Sequence, residues 1–280
     1  MDTFIGIPML GFNRTNFNDR VNELIKLKNI KVLFYHNFKT DPSDEVIKDI
    51  IDAYSSLPHN FMSVVDTQRL NQGVLSVRIG IFEEFLTKFD YDSCDKFMTF
   101  DDDDKILLTQ EVIDRNYAAD VTRFNLLGYD LKSEFINNKD TKELFTRIKV
   151  PSYMYSTVFK RSYLEDKCRK LLLLRNYKLS MCEDMILSNY FTRSANTYEQ
   201  VDQSLVEYVQ NIGQTSTFVF NDYLPFDIFN KITKGVDLLR ILMGDKLSDE
   251  LYQYILFDNL SYNFWQIKDK IKTSLRNANV

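Results

Sequence analysis

The sequence predicts an α/β fold with a doubly wound, mostly parallel sheet flanked by helices, followed by a helical C-terminal extension. Two observations predict it. Over residues 1–100, short apolar segments typical of strands alternate with amphipathic segments typical of helices, and the links between them are short. Residues 219–280 instead carry apolar side chains at helical spacing. A chain of 280 residues, 44% of them hydrophobic, can bury a full core.

The predicted elements follow one another in a regular order. Strands are predicted at residues 4–10, 30–35, 61–65, 96–100, 121–124 and 153–159. Helices are predicted from about Val21 to Lys28, from Ser43 or Asp44 to a stop before Pro58, from Val74 to Phe85, and from Glu183 onward. Right-handed crossovers would make the first four strands parallel. We expect residues 1–218 to form the main domain and residues 219–280 to pack on it.

Composition limits the kind of protein and the kind of chemistry. No apolar segment approaches the roughly 18 residues that span a bilayer, and the N-terminus lacks the basic region of a signal peptide. The three cysteines are far apart and have no zinc-site spacing, which fits a reducing compartment. The only two histidines, His36 and His59, lie near no nucleophile motif. We therefore expect both in surface loops, and acid–base chemistry on carboxylates.

Charge is distributed unevenly along the chain. The net charge of -5 argues against a general nucleic-acid binder. Residues 147–178, however, contain nine Lys and Arg residues against only Glu165 and Asp166, a local charge of +7, so the remainder carries -12. A local excess of this size can attract a polyanion, and it can equally be a solvated face.

Four consecutive aspartates, Asp101 to Asp104, directly follow the apolar segment 96–100. This junction predicts negative charge at the carboxyl edge of the sheet, where open α/β sheets bind their ligands. Adjacent carboxylates repel one another, and hard divalent cations, which take oxygen ligands, relieve that repulsion. The alternative for the aspartates alone is a solvated acidic loop.

Five features occur in one order along residues 4–218. They are Pro8 with Asn13-Arg14 after the first strand, Asn71 with Arg78 at the third helix, the four aspartates, Glu183-Asp184 at a helix start, and Gln214-Thr215 in a polar loop. This order resembles the inverting glycosyltransferases of family 2, which have the GT-A fold. The resemblance therefore implies a GT-A type, Rossmann-like sheet and a catalytic domain that binds a nucleotide sugar.

The resemblance also implies roles for these residues. Asp101, Asp103 and Asp104 would bind Mn²⁺ or Mg²⁺. Asp184 would be the general base, and its neighbour Glu183 would cap the helix or contact the acceptor. The donor would be a nucleotide-diphosphate sugar, for which a UDP-sugar is expected. Its expected contacts are Pro8, Asn13, Arg14, Asn71, Arg78, Asp101, Asp102, Gln214 and Thr215.

The sequence departs from the family pattern at one position, and two of the matched features have an alternative structural explanation. Family members often end the second strand in Asp-Asp, with one carboxylate on the nucleotide base, whereas this strand runs into Tyr35-His36-Asn37. Asp41 or Asp66 would take over that contact. The Glu183-Asp184 pair can instead be a structural helix cap, since the helix dipole stabilises carboxylates there. The loop at 214–216 can instead be a polar turn.

The resemblance implies a metal-dependent inverting glycosyltransferase that moves a sugar to a hydroxyl of an anionic acceptor, as the basic segment 147–178 indicates. That acceptor would be a surface glycan or a lipid-linked saccharide. The amino-acid composition is low in Gly and rich in Asn, Asp, Lys, Phe and Tyr, which indicates an AT-rich bacterial or phage genome. One alternative is therefore a phage enzyme that acts on a hydroxymethylated DNA base. Further alternatives are a non-catalytic nucleotide-binding module and a nucleotidyltransferase. We expect a cytoplasmic protein, in the host cytoplasm if viral, with peripheral membrane association as an alternative.

Overall fold

The computed structural model describes residues 2–67, 73–127, 154, 156–175, 177, 183–207 and 225–257. The chain divides into two compact units, residues 1–209 and residues 210–280. Every strand among the described residues belongs to the first unit. The predicted boundary at residue 218 and the packing of the extension on the main domain remain predictions.

The first unit alternates strands and helices along the chain. Its strands are β1 (Asp2–Leu10), β2 (Ile30–Asn37), β3 (Phe61–Asp66), β4 (Cys94–Thr99), β5 (Lys105–Ile106), β6 (Val121–Leu127), β7 (Thr157–Lys160) and β8 (Tyr198–Glu207). Its helices are α1 (Arg14–Leu24), α2 (Asp44–Tyr54), α3 (Val74–Thr87), α4 (Gln110–Asp114), α5 (Arg161–Leu171) and α6 (Glu183–Ser194). Short 3₁₀ turns lie at Phe89–Tyr91 and Leu172–Leu174.

The strands form one eight-stranded sheet in the order β3-β2-β1-β4-β7-β6-β8-β5. The strands β1 to β4 pair in parallel, as predicted. Beyond β4, β7 is antiparallel to both β4 and β6, β8 is parallel to β6, and β5 is antiparallel to β8. Helices flank this mixed sheet, so the predicted α/β architecture is confirmed.

Two glycines allow α3 to pack closely against β1 and β2. A Cβ atom on Gly6 would lie 2.3 Å from the Ile81 Cγ2 atom of α3. A Cβ atom on Gly80 would lie 2.6 Å from the ring and hydroxyl of Tyr35 in β2. Contacts this short leave no room for a larger residue. They fix the height of α3 above the sheet and thereby the position of Arg78, which precedes Gly80 on the same helix.

Several elements differ from the prediction, and β5, α4 and α5 were not predicted. The first helix begins at Arg14, well before Val21, because Asn13 caps a first turn that is polar. The long strand β8 was not predicted, since it lacks apolar alternation: only Leu205 and Val206 in it are buried.

His36 lies inside the protein, so the expectation of a surface loop for it is wrong. The side chain is fully buried in β2. Its Nδ1 atom lies 3.2 Å from the Gly11 carbonyl oxygen and its Nε2 atom 3.1 Å from the Tyr54 hydroxyl. Burial lowers the pKa of His36 to about 4, so the ring is neutral at pH 7 and serves the packing of β2 on α2.

The second unit is helical where it is described. It contains α7 (Pro225–Met243), a 3₁₀ turn at Gly244–Lys246 and helical residues 249–257. Ile232, Val236 and Leu239 are buried along one face of α7, as their spacing predicts. Among the described residues, no helix combines the length and the apolar composition that crossing a membrane requires.

Candidate active site

Sheet topology places the candidate site at the carboxyl edge between β1 and β4. The chain adds β2 and β3 on one side of β1 and then β4 on the other, so the strand order reverses at β1. Open α/β sheets bind ligands in the crevice at such a reversal. Strand β4 ends at Thr99, and Phe100 leads directly into the four aspartates.

Asp101, Asp103 and Asp104 converge in the loop between β4 and β5. One carboxylate oxygen of each lies within 4.8 Å of the others. Asp104 is only 1% exposed, and the other two are partly buried. Three carboxylates this close repel one another, and their hard oxygens suit Mn²⁺ or Mg²⁺. The donor set thus fits a divalent cation, and these are the three residues predicted to bind it.

Arg78 links the acidic cluster to α6. Its side chain is 3% exposed, and its Nη2 atom lies 2.7 Å from Asp101 Oδ1 and 3.3 Å from Asp184 Oδ1. The distance between Asp101 Oδ1 and Asp184 Oδ1 is therefore at most the sum of these two distances. Its Nη1 atom lies 3.5 Å from the Thr99 hydroxyl at the end of β4. A buried guanidinium thus stands between a predicted metal ligand and the predicted base.

Glu183 and Asp184 form the first turn of α6, which confirms the predicted helix start. The rest of α6 is buried, so the packing of the helix holds this turn in place. Burial raises the pKa of Asp184, while Arg78 opposes that rise and the Met154 backbone N–H donates to the carboxylate. Burial also raises the pKa of Glu183. Asp184 is thus a carboxylate whose proton affinity lies above the ordinary range.

The side chain of Asp102 contacts Asn16 of α1 and does not converge with the other three aspartates. Burial raises the pKa of Asp102 to about 7, with repulsion from Asp103 and Asp101 adding to it, and a hydrogen bond from the Asn16 side chain opposes the rise. Asp102 is not among the three carboxylates that converge. Its side chain is therefore held by α1, and a contact between Asp102 and the donor remains a prediction.

Three residues near the start of α1 that are predicted to contact the nucleotide sugar have structural roles in the fold. Pro8 is buried in β1 beyond its last pair with β4, where the missing N–H breaks no ladder bond. The Asn13 side chain accepts from two first-turn backbone N–H groups at 3.0 and 3.1 Å. Arg14 donates to the Asp49 carbonyl oxygen of α2 at 3.2 Å. Pro8 lies near the carboxyl end of β1 and Asn13 and Arg14 follow it, and their contact with a donor remains a prediction.

Asp41 and Asp66 are the two residues predicted to contact the nucleotide base, and Asp66 is the better placed. It ends β3 in register with Asn37, the last residue of β2. The Tyr35 hydroxyl donates to Asp66 Oδ2 at 2.6 Å and fixes the carboxylate at this edge. Asp41 is exposed in the loop before α2.

The basic segment divides between the two edges of the sheet. Because β7 is antiparallel to β4, Lys160 pairs with Lys96 near the start of β4, opposite the aspartates. Arg161 there binds Asp92 at 3.1 Å. Helix α5 then leads back toward α3, where the Ser76 hydroxyl donates to the Arg175 carbonyl oxygen at 3.0 Å. Among the described residues of the segment, Lys160 and Arg161 thus lie away from the candidate site, whereas Met154, whose backbone N–H donates to Asp184, and Arg175 lie on its side of the sheet.

Some predicted positions lie outside the described residues. They are Asn71, Gln214 and Thr215 among the donor contacts, and residues 147–153 and Lys178 in the basic segment.

Sequence reasoning missed three site-adjacent side chains on α1: Asn16, Arg20 and Glu23. Asn16 and Arg20 contact Asp102 in the loop between β4 and β5, and Glu23 contacts Ile106 in β5, directly after that loop. A spacing of four and then three residues places them on one helix face, but no local pattern shows what that face meets.

No family model and no curated protein sequence matches this chain. The crystal structure of TarS 1–349 from S. aureus matches at 14% identity and TM-score 0.58, covering 94% of this chain and 72% of that one. A longer TarS structure matches at 13% identity and TM-score 0.56, covering 94% and 44%. The mannosyltransferase PcManGT from Pyrobaculum calidifontis, in complex with GDP-Man and Mn²⁺, matches at 8% identity and TM-score 0.49, covering 99% and 80%. The likeness to TarS shows that this chain has a GT-A-like fold, as the sequence predicts.

Proposed function

We propose that this protein is a metal-dependent inverting glycosyltransferase that uses a nucleotide-diphosphate sugar. The observation that carries the proposal is the contact of one Arg78 nitrogen with both Asp101 and Asp184. The contact supports the proposal because the candidate base then lies near three converging carboxylates that would bind a cation, where a GT-A-like sheet reverses its strand order.

Asp101, Asp103 and Asp104 would hold Mn²⁺ or Mg²⁺. When bound there, the cation supplies positive charge that neutralises the diphosphate leaving group. The protein's own contribution is to keep three carboxylates converged and partly shielded from water, so that the diphosphate is bound in one orientation.

Asp184 would accept the proton of the attacking acceptor hydroxyl. The hydroxyl oxygen forms a bond to the anomeric carbon as the bond from that carbon to the diphosphate oxygen breaks, and the proton passes to Asp184. A single displacement with base and leaving group on opposite sides inverts the configuration. Arg78 would orient the Asp184 carboxylate, and Glu183 would contact the acceptor.

We propose a UDP-sugar as the donor and Asp66 as the residue that contacts its base. The carboxylate of Asp66 is oriented by Tyr35 beside Asn37 and can accept from a ring N–H of the base. Pro8, Asn13 and Arg14 lie near or after the carboxyl end of β1 and would contact the nucleotide.

We propose an anionic acceptor, either a surface glycan or a lipid-linked saccharide. Arg169 and Lys170 support this, because both are exposed in the last turn of α5, after that helix has led back toward α3. An anionic acceptor would be attracted to this end of the site, and the attraction would weaken as salt increases.

Release of nucleoside diphosphate from a panel of nucleotide sugars with Mn²⁺ tests the proposal. We expect release with at least one donor, and a loss of about 10²- to 10⁴-fold in Asp184→Asn, the usual contribution of a general base. The matched control is Asp92→Asn, which removes an exposed carboxylate at the opposite edge of the sheet and should leave release unchanged. Equal release by wild type and Asp184→Asn would show that Asp184 is not the base.

A further inference from the structure

One face of α1 carries three polar side chains that contact the aspartate loop or the strand β5 directly after it. Asn16, Arg20 and Glu23 are spaced by four and then three residues, which aligns them along the helix. Arg20 is only 5% exposed and is buried together with Phe17 and Val21. Burying an arginine is costly unless its guanidinium is fully engaged, so its contacts are informative.

The first two of these residues hold the start of the loop. Arg20 Nη1 donates to the Asp102 carbonyl oxygen at 3.2 Å. The Asn16 side chain donates to the carboxyl group of the same aspartate. Asp102 is therefore held through both its backbone and its side chain, which turns it away from the three aspartates that converge.

The third residue holds β5, directly after the loop. Glu23 Oε2 accepts from the Ile106 backbone N–H at 3.2 Å. Arg20 and Glu23 also bind each other, with Nη2 to Oε1 at 2.9 Å and Nε to Oε2 at 2.7 Å. A continuous chain of contacts thus runs from the Asp102 carbonyl group to the Ile106 amide and brackets the two carboxylates between them, Asp103 and Asp104.

We propose that Asn16, Arg20 and Glu23 form a loop brace that preorganises the cation site, an inference that rests on the proposed function. Three converging carboxylates repel one another, so an unsupported loop would spread them apart when no cation is bound. Anchoring the backbone on both sides of Asp103 and Asp104 resists that spreading. The brace residues are positioning residues, since none is among the carboxylates that converge.

Titration of the purified protein with Mn²⁺, with free Mn²⁺ followed by electron paramagnetic resonance, tests the loop brace. We expect the dissociation constant to rise about tenfold or more in Arg20→Met and in Glu23→Gln, as for other residues that orient metal ligands. Arg20→Lys should also bind Mn²⁺ more weakly, because one ammonium cannot reach both Glu23 and the Asp102 carbonyl oxygen. At saturating Mn²⁺ all three variants should regain the wild-type kcat, which a general loss of structure would not allow.

The matched control is Glu207→Gln. Glu207 binds Lys105 at 2.7 Å, directly after the loop, but contacts neither Asp102 nor Ile106 through its side chain. Since this pair is exposed, its loss should change the Mn²⁺ dissociation constant less than about threefold. If Arg20→Met does not fold, Glu23→Gln and Arg20→Lys decide the question.

Two failures are distinguishable in this experiment. If the wild type binds Mn²⁺ and Asp103→Asn does not, but folded brace variants bind as the wild type does, the loop brace is overturned and the cation site stands. If the wild type binds no Mn²⁺, or Asp103→Asn binds it equally well, the cation site itself is wrong and the brace falls with it.

Discussion

Asp184 illustrates how a single carboxylate acquires a proton affinity suited to catalysis. An aspartate in water has a pKa of about 3.9 and is a weak base at neutral pH. Burial in the first turn of α6 raises the pKa of Asp184, and Arg78 limits that rise. The result is a carboxylate that still ionises but holds a proton more strongly than an exposed one, which is the property a general base needs.

The pH dependence of kcat follows from this shift. Asp184 must be deprotonated to accept a proton, so activity is present above its pKa and is lost as the pH falls through it. Because burial raises that pKa, we expect the acidic limb at a higher pH than the ordinary value of about 4. The measurement is kcat at saturating donor and Mn²⁺ from pH 5 to 9. A rate that stays flat down to pH 5 would contradict the assignment.

Arg78 can be tested against another buried arginine that contacts the same helix. Arg78 binds carboxylates, whereas Arg123 in β6 donates to the hydroxyl groups of Ser188 at 2.9 Å and Thr192 at 3.1 Å. We expect Arg78→Lys and Arg123→Lys each to lower the free energy of unfolding by about 1–3 kcal/mol, through hydrogen bonds lost in the interior.

Only Arg78→Lys should also lower the kcat/KM of the folded protein, by about tenfold to a hundredfold, because it alone misplaces Asp101 and Asp184. Urea unfolding and steady-state kinetics on both variants provide the comparison. Equal kcat/KM losses in the two variants would mean that Arg78 acts only through stability.

At the residue scale, the positions of candidate side chains in the fold were predictable where the signal was local. The aspartate run and the Glu183-Asp184 pair are readable because each combines adjacent carboxylates with a strand end or a helix start. The burial of His36 was not readable, since its partners Gly11 and Tyr54 are distant in the sequence. Likewise, nothing local to Arg20 shows that it meets the loop at Asp102.

At the scale of elements, the packing of α3 on β1 determines where Arg78 lies. A Cβ atom on Gly6 would come within 2.3 Å of Ile81 Cγ2, so Gly6→Ala must push α3 outward. We expect it to lower the free energy of unfolding by about 1–3 kcal/mol, the usual cost of overpacking. It should also lower turnover, because Arg78 moves with the helix.

A double-mutant cycle isolates this contact. Ile81→Ala removes the clashing Cγ2 atom and creates a small cavity of its own. We expect Gly6→Ala to cost less stability in the Ile81→Ala background than in the wild type, as measured by urea unfolding. A strictly additive pair would show that the two positions do not set the spacing of α3.

Strands and helices were predicted from the sequence where their apolar residues recur with a clear period. The strands β1 to β4 and the helices α2 and α3 carry clear apolar patterns, and each appears near its predicted place. Strand β8 has only Tyr198 and Val201 as apolar residues before Leu205, and β5 has only two residues, so neither has a clear periodic signal. Both are held in the sheet by pairing with strands far away in the sequence.

At the scale of the whole molecule, the sheet brings the separate motifs together. Asp101 and Asp184 are far apart in the chain, and the order of the strands places both at the carboxyl edge of the first unit. The GT-A-like fold was predictable because its strand–helix alternation and motif order are visible in the sequence. The division of the basic segment between two sheet edges was not, because it follows from the antiparallel pairing of β7 with β4.

The most direct test of the central claim is the thermal stability of the protein with nucleotide sugars, in the presence and absence of Mn²⁺. A ligand that binds the native state raises Tm, with about 2.7 kcal/mol of stabilisation at 100 times its dissociation constant. We predict a rise with at least one nucleotide sugar that requires Mn²⁺, is lost in Asp103→Asn and persists in Asp184→Asn. If no nucleotide sugar gives a Mn²⁺-dependent rise, the cation site at Asp101, Asp103 and Asp104 does not serve donor binding.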